Sequence, residues 1–348
     1  EWGRDTMISL EGLTLCTNRF KQARQILCTF HAAIWQGLIP NMFPESQQKG
    51  VYHTADATLW FFHALDRYLE VSRDFTLLKE MLPNLKQVID WHRKGTAFGI
   101  KVDQDGLLMQ GAEHYQLTWM DAKVDGWVVT PRRGKAVEIN GLWYNALCLI
   151  SDWIAMEESE KAAIPYKEAA RYAYETFNQR FYYPQGGYLY DLIDGEKQEA
   201  IACRPNQLFS FSLKHAILDP KYWQTILEVV QKKLLTPLGL RSLAPFDPLY
   251  HANYQGSLKE RDSAYHQGTV WGWLIGPFID CWLKVYPDKK QEALLFLLPF
   301  KEELKRFGVG SIGEIFDGSF PHQSRGCTAQ AWSVAEVLRC LLKLKIKS

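Results

Sequence analysis

Two carboxylates stand out by their neighbours. Asp121 lies in HYQLTWMDAKVDGWVVTPRRGKAVEINGLWYNAL, just after Met120 and between Trp119 and Trp127. Large apolar groups around an acid disfavour its ionised form and raise its pKa, a shift that a proton donor at neutral pH requires. A loop aspartate capping a turn carries a similar local pattern. Glu314 lies in the Gly-rich stretch GSIGEIFDGSFPHQSRGC, where Asp317 is a rival carboxylate. Two carboxyls facing each other across a sugar are the apparatus of glycoside hydrolysis.

Other residues fit a sugar pocket. EWGRDT supplies Trp2, Arg4 and Asp5, and YHTADATLW supplies His53 and Asp56. VEINGLWY supplies Glu138 and Asn140, and SAYHQGTVW supplies His266 and Gln267. Arg and Asp side chains hydrogen-bond adjacent hydroxyls, while an indole stacks on the C–H face of the ring. For Arg4 and Asp5 the alternative is a structural ion pair at a helix start. Trp143, Trp271, Trp273 and Trp332 sit at helical positions and read as core.

Several chemistries lack their motifs. GVGSIG (308–313) matches a dinucleotide fingerprint, but a helix-like stretch precedes it and no helix follows it. DQDG (103–106) lacks the remaining ligands of a calcium loop and reads as a hairpin turn. There is no H-E-x-x-H, no Cys–His zinc spacing, no G-x-S-x-G and no P-loop. No metal or cofactor is expected.

Composition narrows the class. The 348 residues are 47% hydrophobic and 23% charged, an ordinary globular balance, with a net charge of +1 that favours neither nucleic acid nor an anionic membrane. The 14% aromatic content suits either a large core or sugar-stacking platforms. Seven scattered cysteines without a C-x-x-C argue for a reducing, cytoplasmic setting. No apolar run is long enough to span a membrane.

The elements that must position these residues alternate in type. FKQARQILCTFHAAIW, LLKEMLPNLKQVIDWH, PYKEAARYAYETFNQRF, PKYWQTILEVVQKKL and KKQEALLFLLPFKEEL read as amphipathic helices with one wet face. Between them lie six stretches apolar nearly all round: RDTMISLEGLTLC, ADATLWFFHALDRYL, INGLWYNALCLISDWI, RPNQLFSFSLKHAI, HQGTVWGWLIGPFIDCWL and AQAWSVAEVLRCLLKL. Such helices belong inside a protein. Asp5, Asp56, Asn140, Asn206, Gln267 and Gln330 stand at their starts. A ring of six inner helices wrapped by outer ones satisfies this alternation, an all-α toroid of helical hairpins. The inner N-termini then open at one rim, where their polar residues converge. GIKVDQDGLLMQG and GGYLYDLIDGEKQEA read as hairpins in the connecting loops. Only five outer helices are evident. The expectation is one catalytic domain over residues 1–348, lacking one outer helix and any domain upstream of Glu1.

WGRDT, LTWMDAKV, TPRRGKAVEINGLWYNAL, GEIFDG and RGCTAQAWSVAE, in this order, resemble the C-terminal amylo-α-1,6-glucosidase domain of glycogen debranching enzymes. The resemblance runs from Trp2 to about residue 344. It implies an (α/α)6 barrel that hydrolyses α-1,6-linked glucose at branch points with inversion. It also implies Asp121 as general acid, Glu314 as general base, and Trp119 and Lys123 among the groups that meet substrate. The implied partners are a branched α-glucan, such as glycogen or limit dextrin, and an upstream domain of the same polypeptide. Other readings of the barrel are an exo-α-1,4-glucosidase, a trehalase-like hydrolase, or a glycan-binding domain without activity.

Overall fold

The computed structural model describes residues 2–44, 50–196 and 200–345. Its helices are α1 (Gly3–Leu13), α2 (Phe20–Ala32), α3 (Ala57–Ser72), α4 (Phe75–Lys94), α5 (Val137–Glu157) and α6 (Glu160–Arg180). The second half adds α7 (Trp223–Lys233), α8 (Leu258–Tyr265), α9 (Ile275–Val285), α10 (Lys290–Leu295), α11 (Leu298–Glu303) and α12 (Ala331–Lys345).

The ring closes as the alternation requires. Helix α1 packs on α3, α3 on α5, and α5 on a 3-10 segment at Pro205–Ser210; that segment meets α9, α9 meets α12, and α12 returns to α1. Outside, α2 covers α3, α4 and α6 cover α5, α7 covers α9, and α10 covers α9 and α12. The fold is an (α/α)6 barrel around one continuous apolar core that runs from Met7 to Leu344. At the α1–α12 seam the backbones nearly touch: a β-carbon on Gly12 would fall 2.1 Å from the Ala335 carbonyl oxygen. Trp143, Trp271, Trp273 and Trp332 are all buried in this core as expected, although Trp271 lies on a short strand and Trp273 in a 3-10 turn.

Two inner helices differ from expectation. RPNQLFSFSLKHAI forms a 3-10 turn rather than an α-helix. The Ser210 hydroxyl donates to the Gln207 carbonyl, and the Ser210 carbonyl accepts from Ile217 and Leu218 N–H. Side chains and backbone therefore find partners outside a helix. In HQGTVWGWLIGPFIDCWL the helix starts only at Ile275. Val270 and Trp271 are drawn into a sheet instead, and Pro277 is tolerated because it falls in the first turn. Among the outer helices, KKQEALLFLLPFKEEL splits into α10 and α11, with Pro299 opening the second piece.

Short strands decorate the loops. They are β1 (Lys101–Val102), β2 (Leu108–Met109), β3 (Lys123–Val124), β4 (Trp127–Val128), β5 (Lys135–Ala136), β6 (Tyr182–Tyr183), β7 (Tyr188–Leu189) and β8 (Leu192–Ile193). Then come β9 (Leu235–Thr236), β10 (Gly239–Arg241), β11 (Val270–Trp271), β12 (Ile315–Phe316) and β13 (Ser324–Arg325). β1 and β2 form the expected hairpin around DQDG. The second expected hairpin closes between Leu192 and Ala200, which form an antiparallel bridge, while β7 also pairs with β6 and β8 with β5. Part of that stretch, 197–199, lies outside the described residues. The last five strands form one antiparallel sheet in the order β13-β12-β11-β10-β9. None of the described helices is long and apolar enough to cross a membrane.

Candidate active site

Helix starts and one central strand bring the rim residues together. Arg4, in the first turn of α1, is buried and faces Asp56, the residue just before α3. Its Nε donates to both Asp56 carboxylate oxygens (2.9 and 2.8 Å), and Nη1 donates to Asp121 Oδ2 at 3.2 Å. The Thr54 hydroxyl also donates to Asp56, so that carboxylate is held from two sides. Arg4 Nη2 is buried and makes no hydrogen bond within the protein.

Asp121 leaves 41% of its side chain open to solvent. The protein nevertheless crowds it enough that burial raises its pKa; Arg4 opposes the shift and Asp56 adds to it. The expected direction is met, but through different neighbours. Trp119 and Met120 turn into the core, and Trp127 is 46% exposed on the β3–β4 hairpin. Asp5, partly buried beside this group, is pushed up to about 6 by burial against the pull of Arg4, with Asp121 adding to the rise.

Glu314 directly precedes β12, the strand between β11 and β13, and is 8% exposed. Three donors hold it. Tyr265 Oη (2.6 Å) and Gln330 Nε2 (3.3 Å) donate to Oε1, and the Cys327 N–H (3.1 Å) donates to Oε2. Asp317, the rival, is committed elsewhere. It accepts from the Tyr254 N–H at 2.8 Å and from Arg325 Nε and Nη2 at 3.0 and 2.9 Å.

Tyr265 ties the two carboxylate loops together. Ala122, Val124 and Val129, from the segment that follows Asp121, pack against its ring while its hydroxyl reaches Glu314. Burial raises its pKa, and both Glu314 and Asp121 add to the rise. The phenol therefore feels both acids and stays a donor.

Trp2 is 51% exposed before α1, where its backbone bridges Met42. His53 is half-buried beside Tyr115 (ring centroids 5.8 Å); burial and then Arg4 depress its pKa. Lys123 is exposed on β3 and donates to the His114 carbonyl.

Four expected sugar contacts serve the scaffold instead. Glu138 is buried and paired with Arg132, which also holds Asp191 at 2.8 and 3.0 Å. Asn140 uses its whole amide on backbone: the Leu108 N–H and the Leu108 and Ala136 carbonyls. Gln267 accepts from Arg204 at 2.6 Å. His266 is fully buried, stacked on Trp271, and its pKa lies well below normal because of burial and nearby arginines. Glu138 and Asn140 are satisfied internally, as buried polar groups must be, while His266 is held by ring stacking alone and Gln267 by Arg204. Trp119 joins this layer, its Nε1 donating to Asn206 at 2.7 Å while Asn206 donates to Asp191. The layer props up the Asp121 loop from below.

Sequence reading missed Tyr265, Cys327, Arg132 and Asp191. Arg132 and Cys327 lie inside TPRRGK and RGC, and Tyr265 directly precedes His266, but nothing in the sequence pairs them with the carboxylates they hold. A cavity of about 550 Å³ lies at the opposite ends of α1, α3, α9 and α12, away from these carboxylates. There Arg67 pairs with Glu11, and both Arg339 and Lys343 pair with Asp280. The acidic trio Asp103, Asp105 and Asp194 converges on the Lys135 ammonium, which supplies its cation.

The family model for amylo-alpha-1,6-glucosidase matches residues 1–339. This chain belongs to the amylo-alpha-1,6-glucosidase family. It is 25% identical over 366 residues to the glycogen debranching enzyme of Saccharomyces cerevisiae, covering 80% of this chain and 24% of that protein. The chain thus spans about a quarter of the length of that relative. Two solved structures share the fold of this amylo-alpha-1,6-glucosidase family member. A bacterial glucoamylase complexed with acarbose gives a TM-score of 0.66 at 14% identity, over 97% of this chain and 48% of that one. A rhamnosidase from Klebsiella oxytoca with rhamnose bound gives 0.62 at 15% identity, over 97% and 57%.

Proposed function

We propose that this glycoside hydrolase removes α-1,6-linked glucose from branch points of glycogen-like α-glucans with inversion of configuration. Asp121 is the general acid and Glu314 the general base. The observation that carries this reading is the Tyr265 link, which joins the loops of the two carboxylates while Asp317 is consumed by Arg325. Asp121 has the raised pKa of a donor and the water access of a group that meets substrate. The yeast debranching enzyme supports glycogen as the substrate class. Seven free thiols favour the cytoplasmic setting read from the sequence.

In this mechanism Asp121 gives its proton to the O6 leaving group while Glu314 takes one from water. The water oxygen bonds to the anomeric carbon from the opposite face as the C1–O6 bond breaks. Inverting glycosidases keep their carboxyls roughly 6.5–9.5 Å apart to admit that water. The test is NMR of glucose newly released from branched limit dextrin, with maltose as a control. The expected product is β-glucose, formed faster from dextrin, and lost by about 10²–10⁴-fold in Asp121→Asn and Glu314→Gln. α-Glucose, or a preference for maltose, would overturn the assignment.

A further inference from the structure

Glu314 shows how its base chemistry is aimed. A carboxylate offers about four lone-pair directions. Tyr265 and Gln330 fill both on Oε1, and the Cys327 N–H fills one on Oε2. One direction on Oε2 remains. We propose that Tyr265 is the positioning residue for the reaction, fixing Glu314 so that only Oε2 is left to take the proton of the attacking water. This deepens the proposed function and rests on its assignment of Glu314 as base.

The geometry around Tyr265 is rigid on every side. Its ring meets Trp271 at 4.9 Å, His266 at 4.7 Å and Tyr254 at 5.6 Å between centroids. Its carbonyl accepts from Trp271 Nε1 at 3.0 Å and from the Thr269 hydroxyl at 2.6 Å. The backbone, ring and hydroxyl of Tyr265 are therefore fixed together. On the other side of Glu314, Gly326 (φ +67°) lets the Cys327 N–H approach, since a β-carbon there would stand 2.3 Å from Oε2. The titratable groups facing Glu314 are Tyr265, Tyr254 and Cys327, with Asp121 within electrostatic reach of the Tyr265 hydroxyl. In the reaction one water O–H bond breaks and a Glu314 Oε2–H bond forms. The water's electron pair makes the new C1–O bond, and the proton later leaves to solvent.

Tyr265→Phe keeps the packed ring and removes only the donor. Without that donor Oε1 is free to compete for the water, and the carboxylate can turn. The expected result is kcat lower by about 10–100-fold with KM on limit dextrin unchanged. Gln330→Met should act in the same direction and more weakly, its bond being longer. An unchanged kcat in a folded Tyr265→Phe protein would overturn the proposal. A rise in KM alone would overturn it too, by making Tyr265 a binding group. Wild-type protein that releases no β-glucose would fail earlier, at the assignment of Glu314 itself.

Discussion

Arg4 and Arg132 are built alike and finished differently. Each is buried, and each bridges two acids: Asp56 and Asp121 for Arg4, Glu138 and Asp191 for Arg132. Around Arg132 every guanidinium nitrogen has a partner, with the Thr118 hydroxyl taking the remaining contact. Around Arg4 one nitrogen has none, and Asp121 makes one 3.2 Å contact with its side chain partly in water. Saturation marks the cluster that supports. Access to water marks the cluster that holds Asp121. Buried polar groups seek partners because leaving one unpaired is costly, and the informative difference is that Asp121 keeps its side chain partly in water while Glu138 and Asp191 do not.

The sharpest way to break this comparison is to remove a charge from each cluster. Arg132→Ala leaves Glu138 buried without its cation and Asp191 with only the Arg204 cation at 3.6 Å. It should cost about 3–5 kcal/mol in denaturant unfolding. A loss near zero would mean that the lower cluster is not structural.

Asp5→Asn should do the opposite. Folding lifts the Asp5 carboxyl from its ordinary 3.8 to about 6, so the folded chain holds that proton more tightly than the unfolded chain. The stability this provides is full below about pH 4 and is lost as pH rises through about 6. Asn carries no such penalty. The variant should therefore be more stable than wild type by about 1–3 kcal/mol at pH 7, with the difference vanishing below pH 4, while glucose release falls. Thermal melts at pH 4 and pH 7 read the stability directly. Lower stability at pH 7 would place Asp5 with the scaffold.

Asn140→Ala should have the smallest effect, about 1–2 kcal/mol of stability with KM on dextrin unchanged. A raised KM in a fully folded variant would return Asn140 to the substrate pocket, where its motif had suggested it.

The amphipathic and all-apolar helices were legible because periodicity reports which faces are buried, and α1, α3, α5 and α12 sit where their patterns placed them. The inner segment at 205–217 was misread since apolar residues alone do not separate a helix from a packed 3-10 turn. The β3–β4 hairpin had a local signal that went unused: Asp125 and Gly126, both at positive φ, form the Asp-Gly turn such hairpins favour. At the site, Asp121 was visible as an acid among apolar residues, Glu314 as a carboxylate in a Gly-rich stretch, and Arg4 and Asp56 as polar residues at helix starts. Glu138, Asn140, His266 and Gln267 had the same appearance and a different fate.

The sequence by itself determined the ring and the family, because burial patterns and ordered motifs are written along the chain. It also determined which residue types stand at the rim. Only the tertiary structure decided which of these polar groups are satisfied by one another and which are left open. That choice depends on partners distant in the chain: Asp121 for Arg4, Asp191 for Arg132 and Tyr265 for Glu314. Hydrogen bonds form between neighbours in space, and sequence spacing does not record them.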